Sequence, residues 1–210
     1  MIGFYNLSVL LTYFSLISAT FGISFILQGD EHSVFAALFC LMISGVCDMF
    51  DGAVAQKCKR SEEEKLFGIQ IDSLCDLVAF GALPACLVLY LADGNAFSKI
   101  AAALILLSSV IRLGFFNVQE SLRNREERRE FYTGLPVTLI SILLPFLLIV
   151  SIPFSVSMGL YAPGCLCAIA VLEVSRIPLK KPHGVGKLFV LFVGLAVFVG
   201  LCLVGGQVGA

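Results

Sequence analysis

Charged side chains are scarce in this chain: 14% of its 210 residues, against about 25% in an ordinary soluble domain. Hydrophobic residues make up 59%, and mean hydropathy is +0.97. A composition this apolar excludes a nucleic-acid-binding domain, a disordered tail and a secreted disulfide scaffold. Histidine is nearly missing as well. His32 and His183 are the two present, and neither has ligand spacing. The eight cysteines contain no CxxC and no Cys/His cluster, and all but Cys58 fall in apolar stretches. They read as small packing residues, not as a metal or redox centre. The N-terminus lacks a basic n-region and a clear small-residue cleavage site, so the first apolar run reads as a retained helix and not a signal peptide. Strict alternation is absent from the long uncharged runs, which argues against a β-barrel.

What the chain has is apolar run after apolar run. Seven spans are expected, at 7–28, 32–55, 68–92, 99–118, 133–152, 155–174 and 186–206. The 42 residues from Phe131 to Leu172 carry no charge, and Pro153 divides them into two spans. The expected fold is all-α, a polytopic transmembrane bundle of about seven helices (six to eight), in one integral membrane catalytic domain over residues 1–210. Twelve of the 14 Lys and Arg residues fall in three alternate loops. These follow the second, fourth and sixth spans, and the positive-inside rule puts them and the N-terminus in the cytoplasm. The remaining two are Lys99, at an opposite loop, and Arg112, inside the fourth span.

A charge at a helix centre in the bilayer costs at least about 2.5–3.5 kcal/mol, so acids inside spans point to function. Five lie within or at the ends of spans: Asp48, Asp51, Asp72, Asp76 and Glu173. Glu173, near the end of the sixth span, can snorkel or pair with Arg176 three residues on. The other four form a constellation. Asp48 and Asp51 share one face at i,i+3, and Asp72 and Asp76 share another at i,i+4. A short loop joins the two helices, so four carboxylates are expected to converge at one depth. Unneutralised they would repel strongly, and an all-oxygen set suits Mg²⁺ or Mn²⁺. Four carboxylates balance two divalent cations, the usual clamp for phosphoryl displacement. Gly52, Ala53, Ala55 and Gly68 keep the neighbourhood slim, either for a bulky ligand or for close helix packing.

The pattern Asp48-x-x-Asp51-Gly52-x-x-Ala55-Gln56, then Gly68-x-x-x-Asp72-x-x-x-Asp76, resembles the signature of the CDP-alcohol phosphatidyltransferase family. That signature reads D-x-x-D-G-x-x-A-R followed by G-x-x-x-D-x-x-x-D. Gln56 stands where the family has Arg, and eleven residues separate it from Gly68. Lys57, Lys59 and Arg60 are the nearby cations available to replace that Arg. Within the family, "FGIQIDSLCDLVAFGALP" (Phe67 to Pro84), "IRLGFFNV" (Ile111 to Val118), "FYTGLPVT" (Phe131 to Thr138) and "VSRIPLKK" (Val174 to Lys181) resemble segments of the phosphatidylserine synthase branch. Gly114 and Phe115 replace an Ala-Arg pair of that branch.

The resemblance implies transfer of the phosphatidyl group of CDP-diacylglycerol to an alcohol, L-serine in this branch, with release of CMP. It implies Asp48, Asp51 and Asp72 as metal ligands, with Asp76 as general base that also touches a metal. Asp48, Gly52, Ala55, Gln56 and Gly68 would border the nucleotide. Arg112, costly inside a span, suits an anion such as a phosphate or the serine carboxylate better than a purely structural pairing with an Asp. Asn117 would assist it by hydrogen bonding. Lys180 and Lys181, at the membrane surface, suit either lipid phosphate or topology. The resemblance also implies a homodimer in the cell membrane with the site facing the cytoplasm. Two other readings stay open. One is the same chemistry on glycerol phosphate, inositol phosphate, ethanolamine or choline. The other is a divalent-cation transporter, disfavoured because the acids sit at one side and no internal repeat is evident.

Overall fold

The computed structural model describes residues 3–4, 9–29, 31–122, 131–154, 156–180 and 185–208. Lipid cannot satisfy backbone N–H and C=O groups, so long apolar segments must close their hydrogen bonds internally, as helices. In chain order these are α1 (Leu10–Gln28), α2 (Glu31–Lys57), α3 (Glu62–Asp76), a π-helical turn (Leu77–Ala82), α4 (Leu83–Leu91), α5 (Ala96–Leu122), α6 (Ile140–Ser151), α7 (Met158–Val174) and α8 (Val185–Val208). Short 3₁₀ turns at Val137–Leu139 and Ile152–Phe154 bracket α6. Among the described residues six stretches are long and apolar enough to cross a membrane, and α7, at 17 residues, is a shorter apolar helix of the same kind. Each of the seven expected spans is therefore a helix.

Two boundaries and one helix interior depart from expectation in ways that matter to the site. The third span begins at Glu62 and not at Gly68, because Ser61 starts a helix with a complete capping box. Its Oγ accepts from the Glu64 backbone N–H at 3.2 Å, while Glu64 Oε2 accepts from the Ser61 N–H at 2.8 Å. Three acids in the first turn, Glu62 to Glu64, further suit the positive end of the helix dipole. The same span is interrupted by the π turn, so α3 and α4 form one rod with an altered phase. The fifth span becomes helical only at Val137, because Gly134 adopts a left-handed φ of 75° and Pro136 follows.

Residues just before that point form half of a small antiparallel ribbon, β1 (Phe131–Thr133) with β2 (Pro178–Lys180), which pairs Thr133 with Pro178 and Phe131 with Lys180. Beyond the ribbon the Gly134 N–H donates to Ile177 O at 2.9 Å and the Leu135 N–H to Leu172 O at 3.0 Å. The connection into α6 is thereby clamped to the end of α7. A Cβ on Gly134 would lie 2.6 Å from Glu173 O and 2.7 Å from Ser175 O. Gly134→Ala should therefore cost about 2–4 kcal/mol, combining left-handed strain with overpacking. The thermal midpoint in detergent would fall; an unchanged midpoint would refute the clamp.

The interior is built from close helix crossings. Ser18 Oγ donates to Cys40 O and Ser44 Oγ to Ser15 O, both at 3.0 Å, which binds α1 to α2. Small polar residues let membrane helices approach and hydrogen-bond across the contact. Gly45 admits Ser141 of α6, whose Cβ would lie 2.7 Å from a Cβ placed there. Phe80, Leu83, Leu87, Ile105 and Leu166 are fully buried at the centre. Phe14, Phe21, Leu107 and Phe192 point outward, as side chains facing hydrocarbon should.

Candidate active site

The link Cys58 to Ser61 turns the chain from α2 into α3. The capping box fixes where α3 starts, and with it the face that the following residues occupy. Gly68, Asp72 and Asp76 recur every four residues, so they stack on that face. Asp48 and Asp51 lie toward the end of α2. One carboxylate oxygen from each of Asp48, Asp72 and Asp76 falls within a 4.8 Å cluster. The Asp51 side chain adjoins that of Asp72. Its Oδ2 also accepts from Thr12 Oγ1 of α1 at 3.3 Å. Asp51 and Asp76 are buried, Asp48 and Asp72 half-buried.

Four ionised acids packed so closely repel strongly, and a cation that shares the space removes that repulsion. Oxygen ligands on opposite sides of a Mg²⁺ stand about 4.2 Å apart, from a metal–oxygen distance of roughly 2.1 Å. The spread of the three oxygens is close to that, and all donors are hard carboxylates. The cluster therefore fits a small divalent cation. Its surroundings are open. A Cβ on Gly52 would meet nothing within 4 Å, and one on Gly68 would meet only Arg60 Nη1 at 3.4 Å. Ala55 is half-buried in α2, and Gln56 occupies the helix's last turn.

Asn117 comes close to the acids, though through α3. Ser73 Oγ donates to its Oδ1 at 2.7 Å, and its Nδ2 reaches Gln70 Oε1 at 3.5 Å. It fixes α5 against the helix that carries Asp72 and Asp76. Arg112 is directed elsewhere. Its Nη1 donates to Thr133 O at 2.8 Å and to Glu173 O at 3.3 Å. It lines a cavity of about 400 Å³ between α5 and the end of α7, together with Phe116, Gln119, Glu173, Ser175 and Arg176. Among the described residues none of the four aspartates lines that cavity. Lys180 ends β2, while Lys181 lies outside the described residues, as do Arg123, Arg125, Arg128, Arg129 and His183.

Glu173 corrects an expectation. It neither snorkels nor pairs with Arg176: it is 2% exposed, and its Oε2 accepts from Ser108 Oγ at 2.7 Å and Ser109 Oγ at 3.2 Å. Its Oε1 is buried without a partner. The paired serines one turn before Arg112 were the signal available in the sequence, since two adjacent hydroxyls in a span can serve an acid on a neighbouring helix.

The fold and site together define a polytopic membrane bundle whose second and third spans present an acidic, cation-fitting cluster near one end. Residues 5–174 match the CDP-alcohol phosphatidyltransferase family, and the chain belongs to it. It is 28% identical over 186 residues to the CDP-diacylglycerol–serine O-phosphatidyltransferase of Mycobacterium tuberculosis, covering 86% of this chain and 64% of that protein. It is 28% identical over 173 residues to the archaetidylserine synthase of Methanothermobacter thermautotrophicus, covering 82% and 70%. With the CDP-diacylglycerol–serine O-phosphatidyltransferase of Helicobacter pylori it shares 27% over 215 residues, covering 92% and 87%. The chain thus spans less than two thirds of the mycobacterial relative's length.

Proposed function

We propose that this chain transfers the phosphatidyl group of CDP-diacylglycerol to L-serine, giving phosphatidylserine and CMP. The convergence of Asp48, Asp72 and Asp76 oxygens within 4.8 Å, in a member of this family, is the observation that carries the reading. The names of the relatives support serine as acceptor. Asp48, Asp51, Asp72 and Asp76 would hold two divalent cations, Mg²⁺ or Mn²⁺, which when bound neutralise the carboxylates and the charge developing on the pyrophosphate.

The chain's own residues do the rest. Asp76 accepts the proton of the serine hydroxyl. The hydroxyl oxygen forms a new bond to the phosphorus that bears diacylglycerol. The bond from that phosphorus to the bridging oxygen breaks, and CMP leaves with that oxygen. Gly52, Ala55, Gln56 and Gly68 border the nucleotide beside Asp48, the two glycines by leaving its approach unobstructed. Asn117 acts by holding α3 in place through Ser73. Arg112 captures the carboxylate of incoming serine at the cavity beside α7 before the hydroxyl reaches Asp76, and Lys180 and Lys181 meet lipid phosphate at the surface. The molecule works as a homodimer, one catalytic domain per chain, in the cytoplasmic membrane. Its N-terminus and the link between α2 and α3 face the cytoplasm, where serine and CMP are soluble.

The test is radiolabelled serine supplied to the purified chain in CDP-diacylglycerol micelles. Label should enter lipid with matching CMP release, stop with a chelator, and return with Mg²⁺ or Mn²⁺. Transfer to glycerol phosphate or inositol phosphate instead would replace serine as acceptor. Metal flux into vesicles without CMP release would replace the enzyme reading.

A further inference from the structure

Among the described residues Arg60 is a cation without a counterpart. It sits in the link between α2 and α3, and its Nε is buried with no hydrogen-bond partner. Among the described residues its guanidinium makes no hydrogen bond or ion pair, although Glu62, Glu63 and Glu64 follow within four residues. Those acids serve the start of α3 instead: Glu64 closes the capping box, and Glu62 pairs with Lys65 at 2.9 Å. Burying a guanidinium nitrogen without an acceptor is costly, so the position calls for an acceptor that arrives from outside.

Its location indicates what that acceptor is. Arg60 Nη1 stands 3.4 Å from where a Gly68 Cβ would be. Gly68 lies one helical turn before Asp72 on the face that carries Asp72 and Asp76, about 6 Å along the axis. The guanidinium therefore lies over the acidic face, at its open end. A Cβ at position 68 would touch it at van der Waals distance. An anion with several oxygens could reach from the carboxylate-bound cations to this fork, and phosphate matches a guanidinium in two parallel hydrogen bonds. The neighbouring cations are less suited: Lys57 and Lys59 are exposed, and Lys65 already has Glu62.

We propose that Arg60 binds the pyrophosphate of the nucleotide-activated lipid, supplying from the link the cation that Gln56 does not supply from α2. This rests on the transfer reaction proposed above. Arg60 turns back over α3 because α2 ends at Lys57, and Gly68 gives it room.

The test measures CDP affinity by titration calorimetry in detergent with Mn²⁺, beside KM values for CDP-diacylglycerol and serine and the thermal midpoint. Arg60→Ala should raise the CDP dissociation constant and the CDP-diacylglycerol KM about tenfold, the loss of one charge-assisted hydrogen bond. Serine KM and the midpoint should hold. Gln56→Arg added to Arg60→Ala should restore CDP affinity. A dissociation constant within about twofold of the parent, the span of ordinary context effects on such bonds, overturns the proposal. So does a lowered midpoint with CDP affinity unchanged, which makes Arg60 structural. If Arg60→Ala does not fold, Arg60→Lys decides by the same measure, with weaker CDP binding expected. Serine transfer by the parent with CDP affinity indifferent to Arg60 removes this inference alone. A parent that binds no CDP removes the transfer reading with it.

Discussion

Asp76→Asn should lower phosphatidyl transfer about 10³-fold, in the range seen for loss of a positioned general base. The side chain is 6% exposed and shares the three-oxygen cluster with Asp48 and Asp72. Asparagine has nearly the same shape, so the packing around the buried side chain survives. It cannot take the hydroxyl proton, and it is a poorer ligand for a hard cation. The lipid substrate keeps its other contacts, so CDP-diacylglycerol affinity should change less than about threefold, the usual context scatter of a single interaction. Stability supplies a second readout of opposite sign. With metal chelated, removing one of four crowded negative charges relieves repulsion, and the thermal midpoint of Asp76→Asn should match or exceed that of the parent. Full activity would remove Asp76 from the chemistry. A collapsed midpoint would make its role architectural.

Arg112→Ala should raise the serine KM at least about tenfold, from the loss of charge-assisted hydrogen bonds to a carboxylate. The KM for CDP-diacylglycerol should stay near the parent value. The reasoning starts from geometry. Nη1 is committed to the carbonyls of Thr133 and Glu173, which fixes the side chain at the wall of the cavity beside α7. A guanidinium oriented in this way by backbone oxygens is prepared for a carboxylate entering the cavity, with little ordering left to do. The same bonds hold the strand before α6 to the end of α7, so some loss of thermal midpoint accompanies the substitution. Arg112→Lys separates the two effects. It keeps the charge but loses the planar fork, so serine KM should remain raised while the midpoint recovers in part. An equal rise in both KM values would refute a role specific to the acceptor.

Much of this was legible in the sequence because membranes leave the backbone few options. Uninterrupted apolar runs had to be helices, and the charges between them marked the links. The spacings of Asp48 with Asp51 and of Asp72 with Asp76 fixed their faces, since a helix allows only one arrangement of residues three or four apart. What could not be read was the pairing between segments distant in sequence. Glu173 lies 65 residues from Ser108, and nothing in either segment states that they meet. The ribbon joining Thr133 to Pro178 is too short to leave a strand signature. Arg60 is indistinguishable in sequence from Lys57 and Lys59, and only the fold buries its Nε. The capping box at Ser61 was readable from Ser-Glu-Glu-Glu, but hydropathy draws the eye to the apolar residues and places the boundary too late.

The wide turn at Leu77–Ala82 immediately after Asp76 has its own consequence. One added residue in a helical ladder rotates everything downstream by about 100° relative to an uninterrupted helix. The third span is thus two keys cut on one shank. The upper cut aims carboxylates at the acidic cluster, and the lower aims Leu83 and Leu87 into the apolar centre of the protein. Each can drift in sequence without misaligning the other, provided the joint between them keeps its length.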